Sequence, residues 1–180
     1  YDLNQRVTIS DNIYTNKITL GVYELGSVYK TFTIAAGLEN KVINPNTVFK
    51  NLENSLTCDK YTITEHDKLP KNLSVEQILI RSSNIGAVRI AQKVGTEKYK
   101  DFLKNLGLLD PMKFDLEEIG TPIPFRWGKC KLATTSYGHG ITTTALQVAR
   151  AYAILGNGGF EIQPSILKNR IKLNQKRKQI

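Results

Sequence analysis

The sequence predicts an α+β fold, and three observations carry that reading. Apolar residues recur at helical spacing over several stretches between residues 28 and 155. Short segments of alternating character flank them at both ends, at 17–22 and 160–166. Capping and stop residues punctuate the periodic stretches where helix boundaries are expected.

Taken in order, residues 1–26 are polar and irregular until Lys17 to Val22, where Ile18, Leu20 and Val22 alternate with Thr19 and Gly21 and predict a strand. Gly26 breaks it, and Ser27 falls where a helix cap or first-turn residue belongs. Val28 to Leu38 carries apolar residues at 28, 32, 35, 36 and 38, a buried helix face that Asn40 ends. Residues 46–70 read as extended, with Tyr61 and Ile63 alternating with threonines. Ser74-Val75-Glu76-Gln77 has capping-box spacing and opens a helix through Ile80. Asn84 to Val94 is a further helix, stopped by Gly95. Thr96 caps the next, with Tyr99, Phe102, Leu103 and Leu106 on one face. Residues 108–140 are loop-rich, with Pro111, Pro122 and Pro124. Thr142 to Leu155 is the most apolar helix, and Phe160 to Ile166 predicts a last strand.

The 180 residues are 41% hydrophobic, enough for a real core. The net charge of +9 is concentrated: Lys168, Arg170, Lys172, Lys176, Arg177 and Lys178 lie in 168–180 without an acid, and removing those six leaves +3 for 1–167. That pattern is a solvated basic tail rather than a nucleic-acid surface. Cys58 and Cys130 stand 72 positions apart with no C-x-x-C, which argues against zinc. They pair in an oxidising compartment or sit as small thiols, and the sequence leaves both open. Apolar runs such as Ile78-Leu79-Ile80 are too short to span a bilayer, and the opening Tyr-Asp-Leu-Asn is not a leader peptide.

The chemistry centres on Ser27 and Lys30. An alcohol needs a base within hydrogen-bond reach to become a nucleophile, and lysine serves once burial has lowered its hold on a proton. The i, i+3 spacing puts both on one helix face, about 5–6 Å apart between Cβ atoms. Spacing alone is weak, since about one S-x-x-K is expected by chance in a chain of this composition. A second, Ser165-Ile166-Leu167-Lys168, falls in the predicted last strand, where the two side chains point to opposite faces. Ser10-Asp11-Asn12 reads as a turn. Ser82-Ser83-Asn84 stands at the start of a predicted helix, where Ser82 and Asn84 are also natural caps.

Context separates Ser27 from these. Tyr23 to Glu39, YELGSVYKTFTIAAGLE, closely resembles the active-site helix of class B penicillin-binding proteins. Ile80 to Gly95, IRSSNIGAVRIAQKVG, resembles their second motif block. Trp127-Gly128, then Ser136-Tyr137-Gly138-His139-Gly140-Ile141 and Ala145-Leu146-Gln147, resemble the later block, and Asn157-Gly158-Gly159 follows it. Four blocks in order cover about residues 1 to 167. The RWG and SYGHG segments are most similar to the cell-division transpeptidase branch, with the elongation branch next.

The resemblance implies a penicillin-binding, β-lactamase-like transpeptidase fold, mostly its helical subdomain with part of the sheet. It implies Ser27 as the acylated nucleophile, Lys30 as its base, Ser82 as a proton relay to the leaving amine, and Asn84 as the amide that holds the donor peptide and the lysine. No cofactor or metal is implied. Peptidoglycan stem peptides, lipid-linked precursor, β-lactams and septal division proteins are the implied partners, at the periplasmic face of the inner membrane. His139 reads as structural, His66 as solvated, Trp127 as a packing anchor, and Tyr23, Tyr29 and Phe32 as core. The family's Lys-Thr-Gly strand does not occur in these 180 residues. The expectation is therefore a partial transpeptidase domain over 1–167, with a basic tail over 168–180, missing the membrane anchor and weakly active or inactive alone. A β-lactamase, or a non-catalytic scaffold fragment, is the alternative.

Overall fold

A computed structural model describes residues 16–168. It is mixed α and β, as the sequence predicts, and divides into two units. One comprises Glu24–Leu103 and Pro124–Ile141; the other draws on Tyr1–Tyr23, Lys104–Ile123 and Thr142–Ile180.

In the first unit a 3-10 turn, Gly26–Tyr29, runs directly into α1 (Lys30–Glu39). Phe32, Thr33, Ile34 and Ala36 are buried, whereas Val28 and Leu38 of the predicted face are 41% and 40% exposed, and Asn40 ends the helix, its side-chain Nδ2 donating to the Ala36 carbonyl at 2.9 Å. Strands β2 (Val48–Phe49) and β5 (Leu73–Ser74) pair antiparallel, and β3 (Ser55–Cys58) and β4 (Tyr61–Thr64) form a hairpin in register Leu56↔Ile63. Ser74 caps α2 (Val75–Ile80) through the reciprocal box its spacing predicts, accepting from Gln77 N while Gln77 Oε1 accepts from Ser74 N. Then come α3 (Asn84–Val94), α4 (Thr96–Asn105) and α5 (Lys131–Ser136).

The core of this unit is an aliphatic cluster of Ile34, Ile43, Phe49, Leu52, Leu73, Val75, Ile78, Ile85 and Ile90. It forms because α1 and α3 approach closely over glycine. A Cβ on Gly37 would come within 2.6 Å of Ile43 and 2.9 Å of Ile90, and one on Gly86 within 2.6 Å of Ile78. Beside it, Thr33 Oγ1 donates to the Ser136 carbonyl and meets the Tyr99 hydroxyl, both at 2.7 Å, which joins α1, α4 and α5 through a dry polar contact. Burial pushes the Tyr99 hydroxyl pKa upward. A disulfide joins Cys58, at the end of β3, to Cys130, the residue before α5. That resolves the choice the sequence leaves open.

In the second unit β1 (Val22–Tyr23) pairs antiparallel with β6 (Thr143–Thr144), which leads into α6 (Ala145–Gly156). Thr144 and Gln147 make another capping box. Gln147 Nε2 also donates to the carbonyls of Gly107 and Asp110, and Arg150 donates to those of Leu106 and Ile162. The Ala145-Leu146-Gln147 segment is therefore a device for fastening a loop to a helix start.

Four expectations need correction. Lys17–Leu20 is a turn, with Asn16 accepting through its carbonyl from Leu20 N and through Oδ1 from Ile18 N; only Val22–Tyr23 pairs as strand. Phe160–Ile166 is not a strand: only Phe160 makes a bridge, and the segment is held by side chains instead. Asn157 brackets Phe160, and Ser165 donates to Asp115 Oδ2 at 2.5 Å, which places the second S-x-x-K in a tethered loop. Tyr29 and Phe32 are core, but Tyr23 is 45% exposed. The Ser10-Asp11-Asn12 triplet and residues 169–180 of the basic tail lie outside the described residues; Lys168 is exposed.

Candidate active site

Ser27 sits in the 3-10 turn and Lys30 is the first residue of α1, so one turn of chain separates hydroxyl and amine. The turn is held from behind. Gly26 N donates to the Gly138 carbonyl at 3.3 Å, and a Cβ on Gly138 would lie 2.0 Å from the Gly26 oxygen. Gly138 also has φ +80°, so glycine is required there twice over, by space and by conformation.

Lys30 is 2% exposed although it is charged in water at neutral pH. Its Nζ has three acceptors: Ser27 Oγ at 3.1 Å, Ser82 Oγ at 2.8 Å and the Ser82 carbonyl at 2.5 Å. Burial pulls its pKa from 10.5 down to about 8, and the nearby Glu65 charge opposes that pull. An ammonium fills three acceptors with three protons. The neutral amine keeps two protons and a lone pair, and the carbonyl can only accept. The lone pair must then face a hydroxyl, that of Ser27 or Ser82.

Ser82 presents both oxygens because it adopts φ +54°, a region L-residues seldom enter. Ser83, to which the sequence reading assigns nothing, is the cap of α3: its Oγ accepts from Gly86 N at 2.9 Å and donates to Glu65 Oε1 at 2.6 Å. Asn84 is the first helical residue, and its Nδ2 donates to the Thr64 carbonyl at 2.8 Å rather than to Lys30. One cleft of about 390 Å³ is lined by Ser27, Lys30, Ser82 and Asn84, with Glu24, His66, Arg81, Tyr137 and His139 among its other lining. His139 Nδ1 lies 3.1 Å from Glu24 Oε2 at the rim, and His139 stacks on Tyr137 with ring planes 3° apart. Trp127 packs edge-on against Tyr99, as an anchor should.

Comparison with known families gives one description for the whole length: the penicillin binding protein transpeptidase domain matches residues 1–180. The chain belongs to that family. Within it, the chain is 33% identical to a probable peptidoglycan D,D-transpeptidase FtsI of Caulobacter vibrioides over 93% of its own length and 28% of the relative's. It is 32% identical to the FtsI of Buchnera aphidicola subsp. Schizaphis graminum over 97% of its length and 30% of the relative's. The chain thus spans less than a third of these relatives. Among solved structures, the apo transpeptidase domain of Burkholderia pseudomallei penicillin-binding protein 3 superposes with a TM-score of 0.79 at 28% identity, over 85% of this chain and 47% of that one. Penicillin-binding protein 3 of Mycobacterium tuberculosis, complexed with aztreonam, superposes with a TM-score of 0.78 at 25% identity, over 85% of this chain and 35% of that one.

As a penicillin-binding transpeptidase domain, the chain brings together all four residues singled out in its sequence. Glu65 is the participant that sequence reasoning missed. It stands in a polar loop between a strand and a lysine-rich turn, and nothing local distinguishes it from a solvated carboxylate.

Proposed function

We propose that the chain carries the acyl-transfer chemistry of a septal peptidoglycan D,D-transpeptidase, with Ser27 as nucleophile. The observation that carries this is the contact of one buried amine with two hydroxyls, Ser27 Oγ at 3.1 Å and Ser82 Oγ at 2.8 Å. In this reading the neutral Lys30 takes the Ser27 proton as Oγ attacks the carbonyl between two terminal D-alanines. The C–N bond breaks, and the proton passes from Lys30 through Ser82 to the leaving D-alanine amine. The Ser27 ester is then cleaved by a second stem-peptide amine, or persists when the attacked carbonyl belonged to a β-lactam ring. Asn84 orients the donor peptide from the cleft wall. The FtsI names of several relatives favour the septal over the elongation role. In the same reading the chain works at the periplasmic face of the inner membrane, on lipid-linked precursor and beside division proteins. Among the described residues no helix is long and apolar enough to cross a membrane.

The 180 residues contain no Lys-Thr-Gly segment. In this reading that segment would supply one oxyanion donor, and the 180 residues assayed without it would lose about 10²–10³ in rate. Prolonged incubation with a fluorescent penicillin, followed by mass spectrometry, is therefore expected to give a slow adduct on the peptide bearing Ser27. Ser27→Ala and Lys30→Ala should abolish it. An adduct that persists in Ser27→Ala, or none after extended incubation, refutes the reading.

A further inference from the structure

Glu65 follows β4 directly and spends both carboxylate oxygens on three consecutive residues. Oε1 accepts from Ser83 Oγ at 2.6 Å and Ile85 N at 3.1 Å, and Oε2 accepts from Asn84 N at 2.7 Å. The preceding residue, Thr64, takes the Asn84 side chain through its carbonyl. The hairpin end therefore grips the start of α3 by four hydrogen bonds, three of them charge-assisted. On the other side of the same segment, Ser82 N and Ser83 N donate to the carbonyls of Leu79 and Ile78. Between these two anchors Ser82 is held at φ +54°, a conformation that costs a non-glycine residue about 1–3 kcal/mol and persists only when its surroundings impose it.

We propose that Glu65 is the positioning residue of this site: its carboxylate holds the Ser82–Asn84 segment in the strained shape that turns both Ser82 oxygens onto Lys30. The inference rests on the reading that Lys30 and Ser82 serve Ser27. The same charge also bears on the amine directly, since it is the one that opposes the burial of Lys30. Other titratable or charged groups of the cleft are Glu24, His66, Asp67, Arg81, Tyr137 and His139.

Two readouts need no substrate: NMR titration of Lys30 in chain labelled at lysine ¹³Cε, and amide hydrogen exchange at Asn84 and Ile85. In Glu65→Gln the charge is gone, and one side-chain atom becomes a donor facing donors. The Lys30 midpoint should fall below its wild-type value near 8, exchange at both amides should quicken, and the rate of any Ser27 adduct above that midpoint should drop at least about tenfold, the worth of one charge-assisted hydrogen bond. Glu65→Asp keeps the charge and should return the midpoint and most of the rate. An unchanged midpoint with unchanged exchange in Glu65→Gln overturns the proposal. So does a Glu65→Asp variant as impaired as Glu65→Gln. Should Glu65→Gln not fold, Ser83→Ala decides: it removes the hydroxyl that donates to Glu65 Oε1, it must quicken exchange at Asn84 and Ile85, and unaltered exchange overturns the proposal. Midpoint and exchange effects without any Ser27 adduct would leave Glu65 as the anchor while refuting the acyl-transfer reading.

Discussion

On the proposed function, Lys30 is the residue on which the site's chemistry turns, because its environment sets how often its lone pair is available. Burial disfavours the ammonium, whereas Glu65 and three acceptors favour it, and the balance leaves its pKa near 8. In the proposed reading the competent form is the deprotonated one, so reactivity is low below that value and rises as pH passes through it. We expect the rate of Ser27 acylation by a fluorescent penicillin to climb about tenfold per pH unit below 8 and to level off above it. A rate independent of pH between 6.5 and 9.5 would assign the base elsewhere. Of the residues in this network, Ser27, Lys30, Ser82 and Asn84 could be read from the sequence because the blocks that carry them resemble those of a known family, although Lys30 and Ser82 lie 52 positions apart. Glu65 could not, since its contacts lie 18 to 20 positions away along the chain, and Ser83, whose capping bond to Gly86 N is local, stood between serine and asparagine neighbours that are equally natural caps.

At the level of elements, the helices declared themselves through caps that work independently of tertiary context. Ser74 with Gln77 forms the box its spacing implies, and Thr144 with Gln147 forms another that starts α6 at Ala145 rather than at Thr142. The strands did not. Alternation at 17–22 describes a turn equally well once Asn16 supplies acceptors to the backbone, and the true pairs are only two to four residues long. The helix α5 was missed because Lys131–Ser136 is short and rich in β-branched and hydroxyl residues. It matters because it delivers Gly138 to the back of the nucleophile turn. Gly138→Ala adds a methyl group that meets the Gly26 backbone oxygen at 2.0 Å, at a φ that alanine avoids. The expected cost is about 1–3 kcal/mol in urea unfolding, together with displacement of Ser27 and loss of its labelling. Gly128→Ala is the control: its added methyl has nothing within 4 Å, and it should change neither.

For the molecule as a whole, the bond between Cys58 and Cys130 is the longest-range covalent constraint among the described residues, closing a loop of 72 positions. By the chain-entropy argument, a loop of this size is worth about 4 kcal/mol through restriction of the unfolded chain. Replacing both cysteines by serine, or reducing them, should lower the urea midpoint by an amount of that order, with the slope of the transition used to separate native from unfolded-state effects. Composition gave no means of choosing between a bridge and two thiols; only the meeting of the β3 end with the start of α5 does so.

The bridge also has a practical consequence. It stitches the segment that leads to Glu65, His66 and Asp67 to the one that leads to Tyr137, Gly138 and His139, so both flanks of the cleft share a single oxidation event. Protein produced in a reducing cytoplasm begins life with two thiols. Weak labelling of such material would report its manufacturing history rather than its catalytic competence, and a free-thiol count belongs beside every activity assay.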